Sequence, residues 1–290
     1  GKVKGLIEKK KELKPEYIVV VGIGGSNLGT LAIQEAVLGK LHNHHGKTKI
    51  LYADTVDSDS LHEILHTLDG ILSQGKEVIV NVISKSGRTA ETMANFEVIV
   101  SLLKEYKRDI RKNIVITSDE CSDLWRFADE HCFDRLEIPK KVGGRYSVFS
   151  PVGLFPLGML GLNIDSLLLG VKDARKKGLE KNFMKNDAAL SAIVQYLQYK
   201  KGKNISNMFL FSNDLESMGK WYRQLMGESV GKERDRNGKK VSVGITPTVS
   251  LGSTDLHSMA QLYLGGPRDK LSTFVSVNKG RDRVDSPKLK

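Results

Sequence analysis

A five-residue apolar run, Tyr17–Val21, breaks off at Gly22, Gly24 and Gly25, and this junction restricts the possible folds more than any other stretch. β-Branched residues without alternation read as a strand buried on both faces. The glycines allow a sharp turn and close approach of the backbone to a ligand, Ser26 adds a hydroxyl, and Leu28–Leu38 has helical spacing. Strand, glycine turn and helix N-terminus together suit an anion, because free N–H groups and the helix dipole face it. The turn is not a dinucleotide fingerprint: G-x-G-x-x-G from Gly22 needs glycine at position 27, which is Asn27. Nor is it a P-loop, since no lysine follows Gly29. A nicotinamide dehydrogenase is therefore disfavoured, and a tight turn without ligand stays open as the plain alternative.

The same pattern recurs downstream. Gly1–Lys14 reads as a lysine-rich amphipathic helix stopped by Pro15. Strands are expected at Lys49–Ala53, Glu77–Ile83, Asn113–Thr117 and Arg135–Ile138, with helices at Leu61–Leu72, Ala90–Tyr106 and Ser122–Phe133 between them. Strands alternating with helices at this spacing predict an α/β fold with a doubly wound parallel sheet, whose ligands sit at the carboxyl ends of strands. Lys141–Ser150 reads as a loop, Pro151–Leu162 as a buried helix and Asp165–Lys200 as a helical bridge. A second α/β pattern follows: strands at Asn207–Phe211, Val241–Val243 and Thr273–Val277, and a helix at Leu215–Met226. The expected division is a first domain at 1–165, then a connecting helix with part of a second domain at 166–290.

The chain has 290 residues, a formal charge of +11 and 40% hydrophobic content. Its cations are spread along the sequence, which points to a small phosphorylated ligand more than to nucleic acid. No apolar stretch reaches the roughly 20 residues that a membrane-spanning helix needs, and no secretory signal is visible. Cys121 and Cys132 form no C-x-x-C pair and are expected as reduced thiols in the cytoplasm. His42, His44 and His45 read as a solvated loop, because no carboxylate or thiolate lies at ligand spacing. The chain opens on Gly1 and ends in SPKLK, and is expected to be an excerpt of a longer protein.

Ser84–Thr89 follows the third strand and precedes a helix. Ser84, Ser86 and Thr89 supply three hydroxyls, Gly87 lets N–H groups converge, and Lys85 or Arg88 adds a cation: the donors a phosphate monoester needs. Ordinary capping by serine or threonine is the alternative, though one hydroxyl would satisfy a cap. Arg145 lies in the loop Gly143–Ser147, where it is a surface charge or reaches a negative group formed during reaction. Glu228 is expected just past the end of a helix, either solvated or shuttling a proton between neighbouring carbons. His257 reads as a helix-start histidine or a general acid/base.

Taken together, VGIGGSNLGT, SKSGRTAET, GGRYSVFSPVGL, WYRQLMGESVGK and GSTDLHSMAQLYLGGPRDK resemble the phosphoglucose isomerase family, in the family's order and from Tyr17 to about Val277. The resemblance implies two sugar isomerase (SIS) domains, the second incomplete here, and interconversion of glucose 6-phosphate and fructose 6-phosphate through a cis-enediol, without metal or nucleotide. It implies that Ser84, Ser86 and Thr89 hold phosphate, with Lys85 adding main-chain contact, and that Gly25 and Ser26 lie beside the sugar. It implies Arg145 as enediolate stabiliser, Glu228 as the proton-carrying base, Gln224 as a substrate contact and His257 as the ring-opening histidine, supplied across a homodimer interface. The family's C-terminal ring-opening lysine has no match, so this chain alone is expected to be weak or inert. A non-catalytic SIS module that binds phosphosugars is the alternative; it would need Ser84–Thr89 but have no use for Arg145, Glu228 and His257 together.

Overall fold

In the computed structural model, which describes residues 1–282 and 284–287, Tyr17–Val21 is the second strand of a five-stranded sheet. The elements run α1 (Lys2–Lys11), β1 (Tyr17–Val21), α2 (Leu28–Leu38), α3 (His42–His45), β2 (Lys49–Ala53), α4 (Ser58–Leu72), β3 (Val78–Ile83), α5 (Ala90–Tyr106), β4 (Ile114–Ser118), α6 (Asp123–Glu130) and β5 (Asp134–Glu137). Sheet order is β2-β1-β3-β4-β5, with every neighbouring pair parallel. Side chains alternate across a strand, so each strand feeds two cores. Val19, Val21, Val78, Val80 and Val82 pack beneath α4, α5 and α6, whereas Ile18, Val20, Ile79 and Ile83 pack against α1 and α7 (Pro151–Met159). This is the doubly wound arrangement expected from unbroken apolar runs.

Beyond α7 the expected single bridge is two helices, α8 (Ile164–Gly178) and α9 (Asp187–Lys200). The break is made by Asn186, whose side chain accepts from the Ala189 N–H at 3.0 Å and starts α9 afresh. The chain continues through β6 (Ile205–Leu210), α10 (Glu216–Val230), β7 (Lys232–Arg234), β8 (Lys240–Val243), β9 (Thr246–Leu251), α11 (Thr254–Ser258), α12 (Ala260–Gly265) and β10 (Lys270–Val275). The second sheet has the parallel order β10-β6-β9, and β7 and β8 form a separate antiparallel hairpin. Val241–Val243 thus belongs to the hairpin, and β9 takes the sheet position beside β6. The expected second domain extends to residue 290, and its residues 283 and 288–290 lie outside the described ones. The three histidines form one short helical turn, with His42 Nε2 3.0 Å from the Thr48 carbonyl. Among the described residues no helix is long and apolar enough to cross a membrane.

Candidate functional site

At the carboxyl ends of β1, β3 and β4 a cleft of about 660 Å³ opens, lined also by residues of α10. The first glycine turn forms one wall as a 3-10 segment, Gly24–Ser26, directly before α2. Gly25 is fixed there by crowding: a Cβ would lie 2.3 Å from the Gly144 carbonyl carbon and 2.6 Å from the Arg145 nitrogen. Only glycine lets these two loops touch. Ser147 ties them further, donating from Oγ to the carbonyls of Gly144 at 2.6 Å and Gly25 at 3.1 Å.

The second wall is Ser84–Thr89. Ser84 is buried; its Oγ accepts from the Gly87 N–H at 3.1 Å and lies 3.2 Å from Thr89 Oγ1. Gly87 has φ +67°, a left-handed conformation that glycine adopts without penalty. Ser86 Oγ accepts from the Arg88 N–H at 3.2 Å. Thr89 is the N-cap residue of α5 yet makes no side-chain cap bond, so its hydroxyl is not used in capping. Neither cation of the loop is free. The Lys85 ammonium donates to the carbonyls of Lys140 at 2.9 Å and Val142 at 2.7 Å, and Arg88 Nε donates to Asp123 at 2.7 Å. Arg88 beside it holds the Asp123 carboxyl below the usual carboxylate range.

The third wall comes from far along the sequence. Helix α10 runs to Val230, so Glu228 stands in its last turn rather than past its end. Gly227, the apparent stop, does not stop it; Gly231 does, its N–H bonding to the Gly227 carbonyl at 3.1 Å. Residues 221, 224 and 228 share one face of this helix. Trp221 Nε1 donates to the Arg145 carbonyl at 3.0 Å, and Gln224 Nε2 donates to Glu228 Oε1 at 2.8 Å. Arg145 Nη1 meets Glu228 Oε2 at 3.1 Å, its Nε donates to Ser229 Oγ at 3.0 Å, and its guanidinium lies 4.6 Å from the Tyr146 ring centroid. Hydrogen bonds from Ser229, then Arg145, hold the Tyr146 phenol below its usual range. The Gln224 amide oxygen is buried without a partner among the described residues, an acceptor available to a ligand hydroxyl.

Gly25, Ser26, Ser84, Lys85, Ser86, Thr89, Arg145, Gln224 and Glu228 all line this one cleft. His257 does not: it is exposed, on α11. Sequence reasoning missed Asp119, Cys121 and Asp123, which line the cleft after β4; the strand-end rule applied to the β4–α6 turn would have drawn attention to them. Among the described residues no three His, Cys, Asp or Glu side chains gather as metal ligands.

Parallel sheets wound on both faces, with a polar cleft at their strand ends, define the class: a doubly wound α/β protein with a hydroxyl-rich loop opposite a carboxylate–guanidinium pair. Comparison with known proteins narrows it. The phosphoglucose isomerase family model matches residues 2–286, and the chain belongs to that family. Glucose-6-phosphate isomerase of Carboxydothermus hydrogenoformans is 38% identical over 281 residues, covering 94% of this chain and 60% of that protein. The crystal structure of a hypothetical protein from Thermus thermophilus superposes with a TM-score of 0.88 at 32% identity, over 99% of this chain and 66% of that one. Glucose-6-phosphate isomerase from Chlamydia trachomatis gives 0.83 at 25% identity, over 94% of this chain and 52% of that one. The chain spans about six-tenths of the length of the curated relatives it matches.

Proposed function

We propose that this chain carries the sugar site of an aldose–ketose isomerase interconverting glucose 6-phosphate and fructose 6-phosphate through a cis-enediol, in glycolysis and gluconeogenesis. The observation that carries this reading is the Arg145–Glu228 pair sharing one cleft with the uncapped hydroxyl loop Ser84–Thr89. Ser84, Ser86 and Thr89 hold the phosphate, with Lys85 contributing its main chain, since its ammonium is engaged by two carbonyls. Gly25 and Ser26 wall the sugar, and Gln224 takes a substrate hydroxyl on its unpaired oxygen. Glu228 removes the proton from C2 of the aldose and returns it to C1, work that one carboxylate can do. Arg145 stabilises the charge that develops on the enediolate oxygen.

His257 assists ring opening from the partner subunit of a homodimer, a reading that suits its exposed position outside this chain's own cleft. The units divide at 1–165 and 166–290, and the protein works in the cytoplasm on a hexose 6-phosphate, without nucleic acid or membrane.

Glu228→Gln tests the assignment in this chain and in a version extended at both ends. Conversion of fructose 6-phosphate is expected to fall about a thousandfold while its binding, by calorimetry, stays within about twofold. Conversion at the wild-type rate would remove Glu228 from proton transfer. Binding without conversion in the extended wild type would instead assign a non-catalytic phosphosugar module.

A further inference from the structure

Glu228 and Ser229 are consecutive residues of α10, yet both reach Arg145. Arginine and a carboxylate frequently close as a two-point pair. The molecule contains such a pair: Arg111 engages Asp109 through Nε and Nη2, each at 2.8 Å. Arg145 and Glu228 do not pair this way. Their one contact, Nη1 to Oε2, is 3.1 Å, long for a charge-assisted bond. Two neighbours keep the fork open. Ser229 Oγ occupies Arg145 Nε at 3.0 Å, and Gln224 Nε2 holds the second oxygen of Glu228 at 2.8 Å. Ser229 is itself braced, its Oγ lying 2.8 Å from Tyr146 Oη while the Tyr146 ring stacks under the guanidinium. Neither of these two bonds uses Arg145 Nη2.

We propose that Ser229 is a positioning residue whose hydroxyl, by occupying Arg145 Nε, keeps that edge of the guanidinium from closing on Glu228 and leaves the cation in the cleft for a ligand oxyanion. That the oxyanion is the enediolate rests on the function proposed above. The geometry explains why a cation and a base can stand side by side without cancelling: Ser229 takes the Nε edge that Arg111 uses toward Asp109, and Gln224 holds the Glu228 oxygen that Arg145 does not touch. A hydroxyl suits the task, because it accepts from Nε–H without adding charge.

The test uses Ser229→Ala and Ser229→Thr. First, the Nε–H signal of Arg145 is followed by ¹⁵N NMR without substrate, assigned by its loss in Arg145→Lys. In Ser229→Ala it is expected to move as Nε turns to the Glu228 carboxylate, and to lose that change when Glu228→Gln is added. A signal that stays put in Ser229→Ala overturns the proposal. Second, in the extended protein, kcat for fructose 6-phosphate is expected to fall about ten- to a hundredfold in Ser229→Ala with KM within about twofold, and to recover in Ser229→Thr. Unchanged kcat in Ser229→Ala, or failure of the threonine to restore it, also overturns it. The NMR arm needs no turnover. Absence of conversion in the wild type with the NMR result intact therefore counts against the isomerase reading alone.

Discussion

The indole of Trp221 donates to the main-chain carbonyl of Arg145 at 3.0 Å, joining helix α10 to the loop that precedes α7. The same helix face carries Gln224 and Glu228 into the cleft. One element therefore both fixes the backbone of the arginine and supplies the carboxylate opposite it. Their spacing depends on α10 as a rigid body more than on either loop.

Trp221→Phe keeps most of the ring but removes the donor. The Arg145 carbonyl then loses its indole partner, and urea unfolding is expected to show a loss of about 1 kcal/mol. If the bond matters only for stability, kcat stays unchanged; if it sets the height of Arg145, kcat falls with little change in KM.

Gly25 and Gly144 offer a matched contrast. A Cβ on Gly25 would meet the Gly144 carbonyl carbon at 2.3 Å, whereas one on Gly144 would meet nothing within 4 Å. Gly25→Ala is expected to cost about 1–3 kcal/mol in urea unfolding and to displace the Arg145 loop. Gly144→Ala is expected to stay within about 0.5 kcal/mol of wild type. Equal effects would mean that the two loops are not in contact as described.

Ser84→Ala separates ligand binding from helix capping. Ser84 accepts from Gly87 N–H, and the N-cap residue Thr89 makes no side-chain cap bond to α5. The variant is expected to bind fructose 6-phosphate about tenfold more weakly by calorimetry, with the helical circular dichroism unchanged. Loss of helix signal with unaltered binding would return the loop to an ordinary cap.

The centre of the first sheet was legible because β1, β3 and β4 are largely apolar runs closed by glycine or hydroxyl turns, as in Tyr17–Val21 before Gly22. Strand β9 was not. Its sequence, TPTVSL, contains Pro247 and three hydroxyl residues and reads as a loop, yet it forms an edge of the second sheet. Proline is tolerated on such an edge, where its missing N–H faces away from the ladder. The Asn186 cap is a visible signal, but the helical pattern on both sides of it outweighs it in the sequence. In the site, the hydroxyl loop and Glu228 stood out by residue type. The bond from Arg145 to Ser229 spans 84 positions, and no local pattern announces it.

Lys10 and Asp134 set the expected response to acid. Lys10 is 1% exposed; its ammonium donates to the Lys112 carbonyl at 2.5 Å and lies 2.8 Å from Asp134, pinning α1 to the edge strand β5. Burial holds Lys10 below the ordinary lysine range, with Asp134 pulling against it. At Asp134 burial pushes upward, but hydrogen bonds from Lys10 and Lys9 outweigh it and hold the carboxyl below the ordinary range. Burial wins at the lysine and pairing wins at the aspartate, because the ammonium is the deeper group. A carboxyl whose folded pKa lies below its unfolded one, about 3.9, contributes stability that is fully present above that value. The contribution drains away as pH falls through the folded pKa. Asp134→Asn is therefore expected to cost about 1–3 kcal/mol at pH 7, since it leaves a buried ammonium without its counter-charge. The gap to wild type should shrink as urea unfolding is repeated from pH 5 down to pH 2.5. A gap that stays constant over that range would mean that Asp134 acts through its shape and hydrogen bonds and not through its charge.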